Sequence, residues 1–257
     1  VDTSLVNFLN TGVARPLARD PRPSQRGVDG RPTLVDNVET LAHLALIARN
    51  GPGWFRARGT EDAPGTALIT VGGPVRMPGV YEIDLGSPLG QPLRMAGGTD
   101  GPVRAVLVGG LGGRWLPLPA MGNVALTDPC LRAAGARLGI ASLIPLPAHE
   151  CGLATTASVL RYLADESAGQ CGPCMFGLPA IADDMTRIAD GTASPGLLNR
   201  LWSRLGVIPG RGACAHPDGA AGLAASALEV FAEDLSAHLA GTPCGAANDP
   251  YPLVGRP

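Results

Sequence analysis

The stretch Ala67-Leu68-Ile69-Thr70-Val71-Gly72-Gly73-Pro74-Val75-Arg76-Met77-Pro78-Gly79-Val80-Tyr81-Glu82-Ile83 decides the fold. Two short runs rich in β-branched and aliphatic residues flank a Gly-Gly-Pro turn, which is the pattern of a β-hairpin. Outward toward the C-terminus, Ser87-Pro88 combines a capping side chain with a proline suited to a first turn. It predicts a short helix running toward Met95 and ending at Gly97-Gly98. Val103 to Val108 reads as a third strand. Residues 114–145 predict more short extended pieces, with Gly139 to Ile144 the most strand-like. Strand, strand, short helix, strand is a β-grasp (ubiquitin-like) pattern. Outward in the other direction, Val35 to Asn50 predicts a helix. Val38, Leu41, Leu44, Ala45 and Ala48 share one face, and Asn50-Gly51-Pro52 stops it. Residues 1–33, punctuated by Arg15-Pro16, Asp20-Pro21-Arg22-Pro23 and Arg31-Pro32, predict irregular chain.

After Cys151 the apolar spacing becomes helical. Leu153 to Ala164 is one candidate helix. Leu178, Ile181, Met185 and Ile188 mark a second. Ser194-Pro195 opens a third, with Leu197, Leu201, Trp202 and Leu205 on one side and Gly206 at its end. Leu228, Phe231, Leu235 and Leu239 mark a fourth. Four helices of this length predict a small bundle. The fold class expected is therefore α+β, a β-grasp domain followed by a four-helix bundle.

Composition narrows the function. The chain has 257 residues, 45% hydrophobic and 16% charged, so it can bury a core. All 20 basic residues are arginine. The absence of lysine excludes a lysine Schiff base and a Walker-type phosphate lysine. A net charge of −2 without a basic run gives nucleic-acid binding no support. No apolar stretch reaches the length of a membrane span, and the first residues do not form a signal peptide. The absent initiator methionine predicts a processed or partial product. Six cysteines in a chain this long are not a disulfide scaffold, which predicts a cytoplasmic protein.

The chemistry concentrates in Glu166-Ser167-Ala168-Gly169-Gln170-Cys171-Gly172-Pro173-Cys174. Two thiolates on a Gly/Pro loop between helices can reach one soft metal centre. Cys214, in the glycine loop Gly210 to Pro217, can close it. Gly169 and Gly172 leave backbone N–H groups free to approach cluster sulfurs. Zinc is the rival metal, with His216 completing a Cys₃His set. Three buried structural thiols are the plain alternative. Gly109-Gly110-Leu111-Gly112-Gly113 lacks dinucleotide-motif spacing and opens no helix, so it predicts a turn. His43 and His238 read as structural, and Cys130, Cys151 and Cys244 as plain thiols.

Three segments in order resemble one family. Arg31-Pro32-Thr33-Leu34-Val35-Asp36-Asn37-Val38-Glu39-Thr40-Leu41 is similar to the flavin-side segment of the NADH-binding flavoprotein subunit of respiratory complex I. It is shared by related NAD-linked hydrogenase and formate dehydrogenase subunits. Gly72 to Tyr81 resembles the soluble-ligand-binding β-grasp domain that follows in that family. Glu166 to Cys174 with Cys214 resembles its [4Fe–4S] helical domain. In that family NADH reduces FMN and the flavin passes single electrons to a cluster held by four cysteines. The resemblance implies Cys171, Cys174 and Cys214 as metal ligands and Asp36 and Asn37 as vestigial flavin contacts. Ala168 replaces the first cysteine, Asp36 an asparagine, and Met175 an arginine.

The expectations follow. Residues 1–60 are a remnant of a flavin-binding domain, 61–150 the β-grasp domain, 151–242 the iron–sulfur bundle, and 243–257 a loose tail. The function is electron transfer within an NADH dehydrogenase-like complex, and the chain is not catalytic alone. The cofactor is a [4Fe–4S] or [3Fe–4S] cluster, with FMN only if a missing N-terminal half completes its site. Partners are ferredoxin-like or flavin-bearing redox subunits, with the chain cytoplasmic or peripheral on a membrane complex. The alternatives are a scaffold whose cluster is lost and a zinc-stabilised interaction domain.

Overall fold

A computed structural model describes residues 2–17, 21–244 and 251–253. Five strands form one mixed sheet in the order β2-β1-β5-β3-β4. They are β1 (Thr66–Val71), β2 (Gly79–Asp84), β3 (Val103–Val108), β4 (Arg114–Pro117) and β5 (Ser142–Pro147). The hairpin expected from Gly72-Gly73-Pro74 forms, with Thr66 opposite Asp84 and Val71 opposite Gly79. β5 enters the sheet parallel to β1 and antiparallel to β3. It begins at Ser142, later than the stretch from Gly139 that looks most strand-like. Ala141 sits at φ 53, a turn conformation, and its carbonyl accepts from Thr70 N at 2.8 Å where the ladder starts. The Gly109 to Gly113 stretch is the β3–β4 turn, where Gly109 and Gly110 take φ of 93 and 88.

Ten α-helices accompany the sheet among the described residues. The N-terminal region is not irregular throughout, because α1 (Asp2–Thr11) is helical. Proline punctuation begins only at Pro16, so nothing local opposes a helix before it. α2 (Val38–Asn50) starts three residues later than the expected Val35. Asn37 is its N-cap, its side chain accepting from Glu39 N at 2.8 Å and Thr40 N at 3.4 Å. After α3 (Pro52–Arg56), α4 (Gly90–Met95) begins beyond Ser87-Pro88, with Leu89 at its N-cap. Ser87 instead joins backbone bridges, its carbonyl accepting from Leu126 N at 2.9 Å. α5 (Asp128–Ala133) is capped by Thr127.

Each strand of the sheet centre serves two cores. Side chains alternate across a strand, so Ala105 and Leu107 of β3 face one way, and Val106 and Val108 the other. All four are buried. Val106 and Val108 join Ile69, Val71, Leu143, Leu93 of α4 and Leu131 of α5. Ala105, Leu107, Trp115 and Leu146 join the helices after residue 150. These are α6 (Gly152–Asp165), α7 (Leu178–Ala189), α8 (Leu197–Val207), α9 (His216–Val230) and α10 (Ala232–Leu239). Strand-rich and helical halves are therefore joined by one apolar core.

The helices refine the expected bundle. α8 is preceded by Gly196 in the left-handed region rather than capped by Ser194, and it continues through Gly206 to Val207. The stripe Leu228, Phe231, Leu235, Leu239 is divided between α9 and α10, because Phe231 breaks the helix at φ −107, ψ 36. The Phe231 ring is buried edge-on against Trp115, 5.5 Å between centroids, and Arg104 lies 5.2 Å over its other side. Of the expected loose tail, residues 245–250 and 254–257 lie outside the described residues. Cys244, Tyr251 and Leu253 pack against the helical core.

Candidate metal centre

α6 delivers the chain to the site. Its last turn ends at Glu166, and Gly169, at φ 59, turns the backbone through a conformation that L side chains rarely adopt. Cys171 follows. A single π-helical turn, Pro173–Gly177, then carries Cys174 and leads straight into α7. A π turn is wider than an α turn and frequently marks a functional position. Cys174 N and Met175 N both donate to Cys171 O at 3.0 Å, which fixes the spacing of the two cysteines.

The third cysteine arrives from the opposite side. The loop after α8 holds Gly210 at φ 78, with Gly210 N donating to Asp218 Oδ1 at 2.9 Å. It presents Cys214 just before α9 begins at His216. Cys171, Cys174 and Cys214 line one cavity of about 120 Å³, together with Pro16, Glu166, Ser167, Ala168, Gln170, Ala213 and His216. Residues about 40 apart in sequence are thus brought to one place, as the sequence predicts. The Gln170 side-chain amide donates to Pro16 O, so the N-terminal segment covers one wall. A larger cleft beside the Gly109–Gly113 turn carries Arg114, Arg132, Arg137 and Asp218 but no cysteine or histidine.

The electrostatics separate the thiols. The Ala213 backbone N–H is the main cause lowering the Cys171 pKa, aided by hydrogen bonds from Cys174, so its thiolate is favoured. Burial is the main cause raising the Cys174 thiol to about 12. The neighbouring Cys171 and Cys214 sulfurs repel a second negative charge there and add to the shift. A cation at the centre of the three would reverse that repulsion, because thiolates packed this closely need a compensating positive charge. Ala213 and Cys174, rather than the expected Gly169 and Gly172, supply the N–H groups that reach the Cys171 sulfur.

Ala168 borders the cavity from the exposed loop but offers no ligand atom. His216 borders it as well, half-buried, with Nε2 2.7 Å from Leu163 O near the end of α6. A carbonyl only accepts, so Nε2 carries the proton in this contact. The cavity therefore fits an iron–sulfur group through three soft sulfur donors, with one conventional ligand position lacking.

Asp36 and Asn37 sit elsewhere, exposed at the start of α2. Asp36 Oδ1 accepts from Asn37 N at 2.8 Å, and Asn37 caps the helix. Among the described residues they line none of the cysteine cavity.

A second grouping escapes sequence reasoning. Cys151, His238 and Cys244 place ligand atoms within 4.8 Å of one another. His238 is fully buried, and its Nδ1 donates to Ala189 O at 2.8 Å and Ile188 O at 3.2 Å. Its Nε2 lone pair accepts Cys244 N–H at 3.1 Å, with Cys151 Sγ 3.8 Å away. The lone pair that would bind a metal is thus already engaged, and the arrangement locks α6, α7, α10 and Cys244 together. Cys151 and His238 are 87 residues apart, and no local spacing signals the meeting.

Comparison with known proteins agrees with this geometry. Residues 154–238 match the NADH-ubiquinone oxidoreductase-F iron-sulfur binding region. The second F-type subunit of the NADH-quinone oxidoreductase of Rhizobium meliloti (strain 1021) is 32% identical over 241 residues, covering 93% of this chain and 57% of that protein. The NADH-quinone oxidoreductase F-type subunit of Salmonella typhimurium is 34% identical, over 92% of this chain and 54% of that protein. The NADP-reducing hydrogenase component HndC of Solidesulfovibrio fructosivorans is 28% identical, over 95% and 50%. The H2-reduced NAD+-reducing [NiFe]-hydrogenase crystal structure superposes with a TM-score of 0.83 at 32% identity, covering 93% of this chain and 41% of that one. The chain spans about half the length of the curated relatives it matches. The chain is related to the F-type subunits of NADH-quinone oxidoreductase and to the NAD-linked hydrogenase subunits, and it carries that family's iron–sulfur binding region.

Proposed function

We propose that this chain is an iron–sulfur electron carrier of an NADH dehydrogenase-like oxidoreductase, with Cys171, Cys174 and Cys214 holding the cluster. The observation that carries the reading is the convergence of these three cysteines on one cavity inside the matched region. When bound, the cluster supplies one-electron transfer. The chain's own residues do the rest. Cys171, favoured as a thiolate, is the natural first ligand. The Ala213 N–H, bonded to its sulfur, withdraws charge from it and so favours the reduced cluster. Cys174, only 5% exposed, keeps water from one side of the site. Met175 and Phe176, exposed immediately after it, give an apolar approach for a ferredoxin-like or flavin-bearing partner.

Zinc fits the geometry less well. Sulfurs bound to one zinc at about 2.3 Å lie about 3.8 Å apart. Among the described residues Cys171, Cys174 and Cys214 do not form a group with all ligand atoms within 4.8 Å. A polynuclear cluster holds its thiolates further apart than one ion does.

The same reading extends to organisation. The order β2-β1-β5-β3-β4, with α4 between β2 and β3, supports a β-grasp domain over residues 61–150. Residues 151–242 form the cluster-bearing helical domain, and residues 1–60 belong with a flavin-binding domain. Asp36 and Asn37 would meet FMN only where further protein completes that site. No helix among the described residues is long and apolar enough to cross a membrane, which supports a cytoplasmic or peripheral component.

The test is iron and acid-labile sulfide after anaerobic purification, in the parent and in Cys171→Ser and Cys214→Ser. Iron and sulfide together, lost in both variants, support the assignment. Zinc without sulfide, or a colourless protein lacking metal after reconstitution, overturns it.

A further inference from the structure

We infer that His216, through Nδ1, supplies the fourth iron ligand of a [4Fe–4S] cluster otherwise held by Cys171, Cys174 and Cys214. The inference rests on the cluster reading above. A cubane has four irons and needs four protein ligands to be closed, and three cysteines leave one iron open. Ala168 borders the cavity without a donor atom. His216 borders the same cavity and stands two residues after Cys214, at the first position of α9.

The imidazole is prepared for ligation by its other nitrogen. Nε2 donates to Leu163 O at 2.7 Å, which fixes the tautomer and leaves the lone pair on Nδ1. A metal-bound histidine characteristically donates its second ring N–H to a carbonyl or carboxylate in this way. Among the described residues Nδ1 has no hydrogen-bond partner. Imidazole binds iron and replaces cysteine in some iron–sulfur centres, where its neutrality raises the potential. The other polar residues lining the cavity are weaker candidates. The Gln170 amide nitrogen is engaged with Pro16 O, and Glu166 and Ser167 offer hard oxygen donors that suit iron–sulfur sites less well.

The experiment uses the whole chain, purified anaerobically and reduced, with and without ¹⁵N-histidine labelling. Electron spin echo envelope modulation should show a directly coupled imidazole nitrogen that changes with the label. In His216→Ala the nitrogen signal should vanish and the oxidised protein should gain the paramagnetic signal of a three-iron centre. The double variant A168C/H216A should restore an oxidised-silent four-iron cluster of lower potential. A reduced cluster without nitrogen coupling in the parent protein overturns the inference and leaves the cluster reading standing. Parent protein that holds no cluster overturns both. The parent measurement needs no substitution, so a misfolded variant does not blunt it.

Discussion

At the scale of single residues, the site is a set of four positions of which three hold sulfur. Cys171, Cys174 and Cys214 were legible in the sequence because soft ligands on glycine loops have few other uses. The missing fourth was legible as Ala168. What the spacing hid was the direction of His216, since only the fold shows its Nε2 spent on Leu163 O. Replacing Cys214 with serine is expected to lower cluster occupancy by roughly tenfold or more, the scale seen even for supporting residues of metal sites. Iron analysis against protein concentration checks this.

Cys151 gives a second prediction at this scale. Burial outweighs the Ala154 N–H that its sulfur accepts and raises its thiol to about 12. An unfolded thiol titrates near about 8.5, so the folded value is the higher one. The fold favours the protonated form, and that contribution is complete below about pH 8.5 and is lost as pH climbs toward about 12. Melting temperature should therefore fall across that window. Cys151→Ser, which keeps a capping side chain that does not titrate there, should show a shallower fall. An equally steep profile in the variant would assign the loss to other groups.

At the scale of elements, the strands and long helices were readable and their ends were not. Period-2 and period-3.6 patterns report burial, which is a property of the middle of an element. Ends are set by single contacts. Asn37 starts α2, Phe231 divides α9 from α10 to seat its ring on Trp115, and Ala141 delays β5. The π turn at Pro173–Gly177 had no sequence signal beyond the Gly-Pro pair. Close packing at helix starts is testable at Gly152, where an added Cβ would lie 2.4 Å from the Phe231 ring. Gly152→Ala should destabilise the protein by about 1–3 kcal/mol, the usual result of forcing a methyl group into a filled core. Denaturant unfolding measures this, and an unchanged midpoint would mean that Phe231 moves aside freely.

At the scale of the whole molecule, the sheet and the cluster-bearing helices are built on one core. Trp115 joins them. Its backbone N–H donates to Ser226 Oγ of α9 at 3.0 Å, and its indole N–H donates to Thr156 Oγ1 of α6 at 2.9 Å. The composition change near residue 151 marked a switch from strands to helices, but not this shared interior, because cross-element contacts leave no local pattern. Unfolding should be a single transition when followed by far-ultraviolet circular dichroism and by tryptophan fluorescence. Trp115→Ala should lower stability by about 3–5 kcal/mol, shifting both signals together. Separate shifts would mean that the two halves fold independently.

The measurement closest to the central claim is metal and sulfide analysis with electron paramagnetic resonance on anaerobically purified protein. The account predicts a brown protein with iron and acid-labile sulfide in equal amounts, paramagnetic when reduced, and losing all of these when Cys171, Cys174 or Cys214 is removed. Protein that stays colourless and free of iron after anaerobic reconstitution would contradict it.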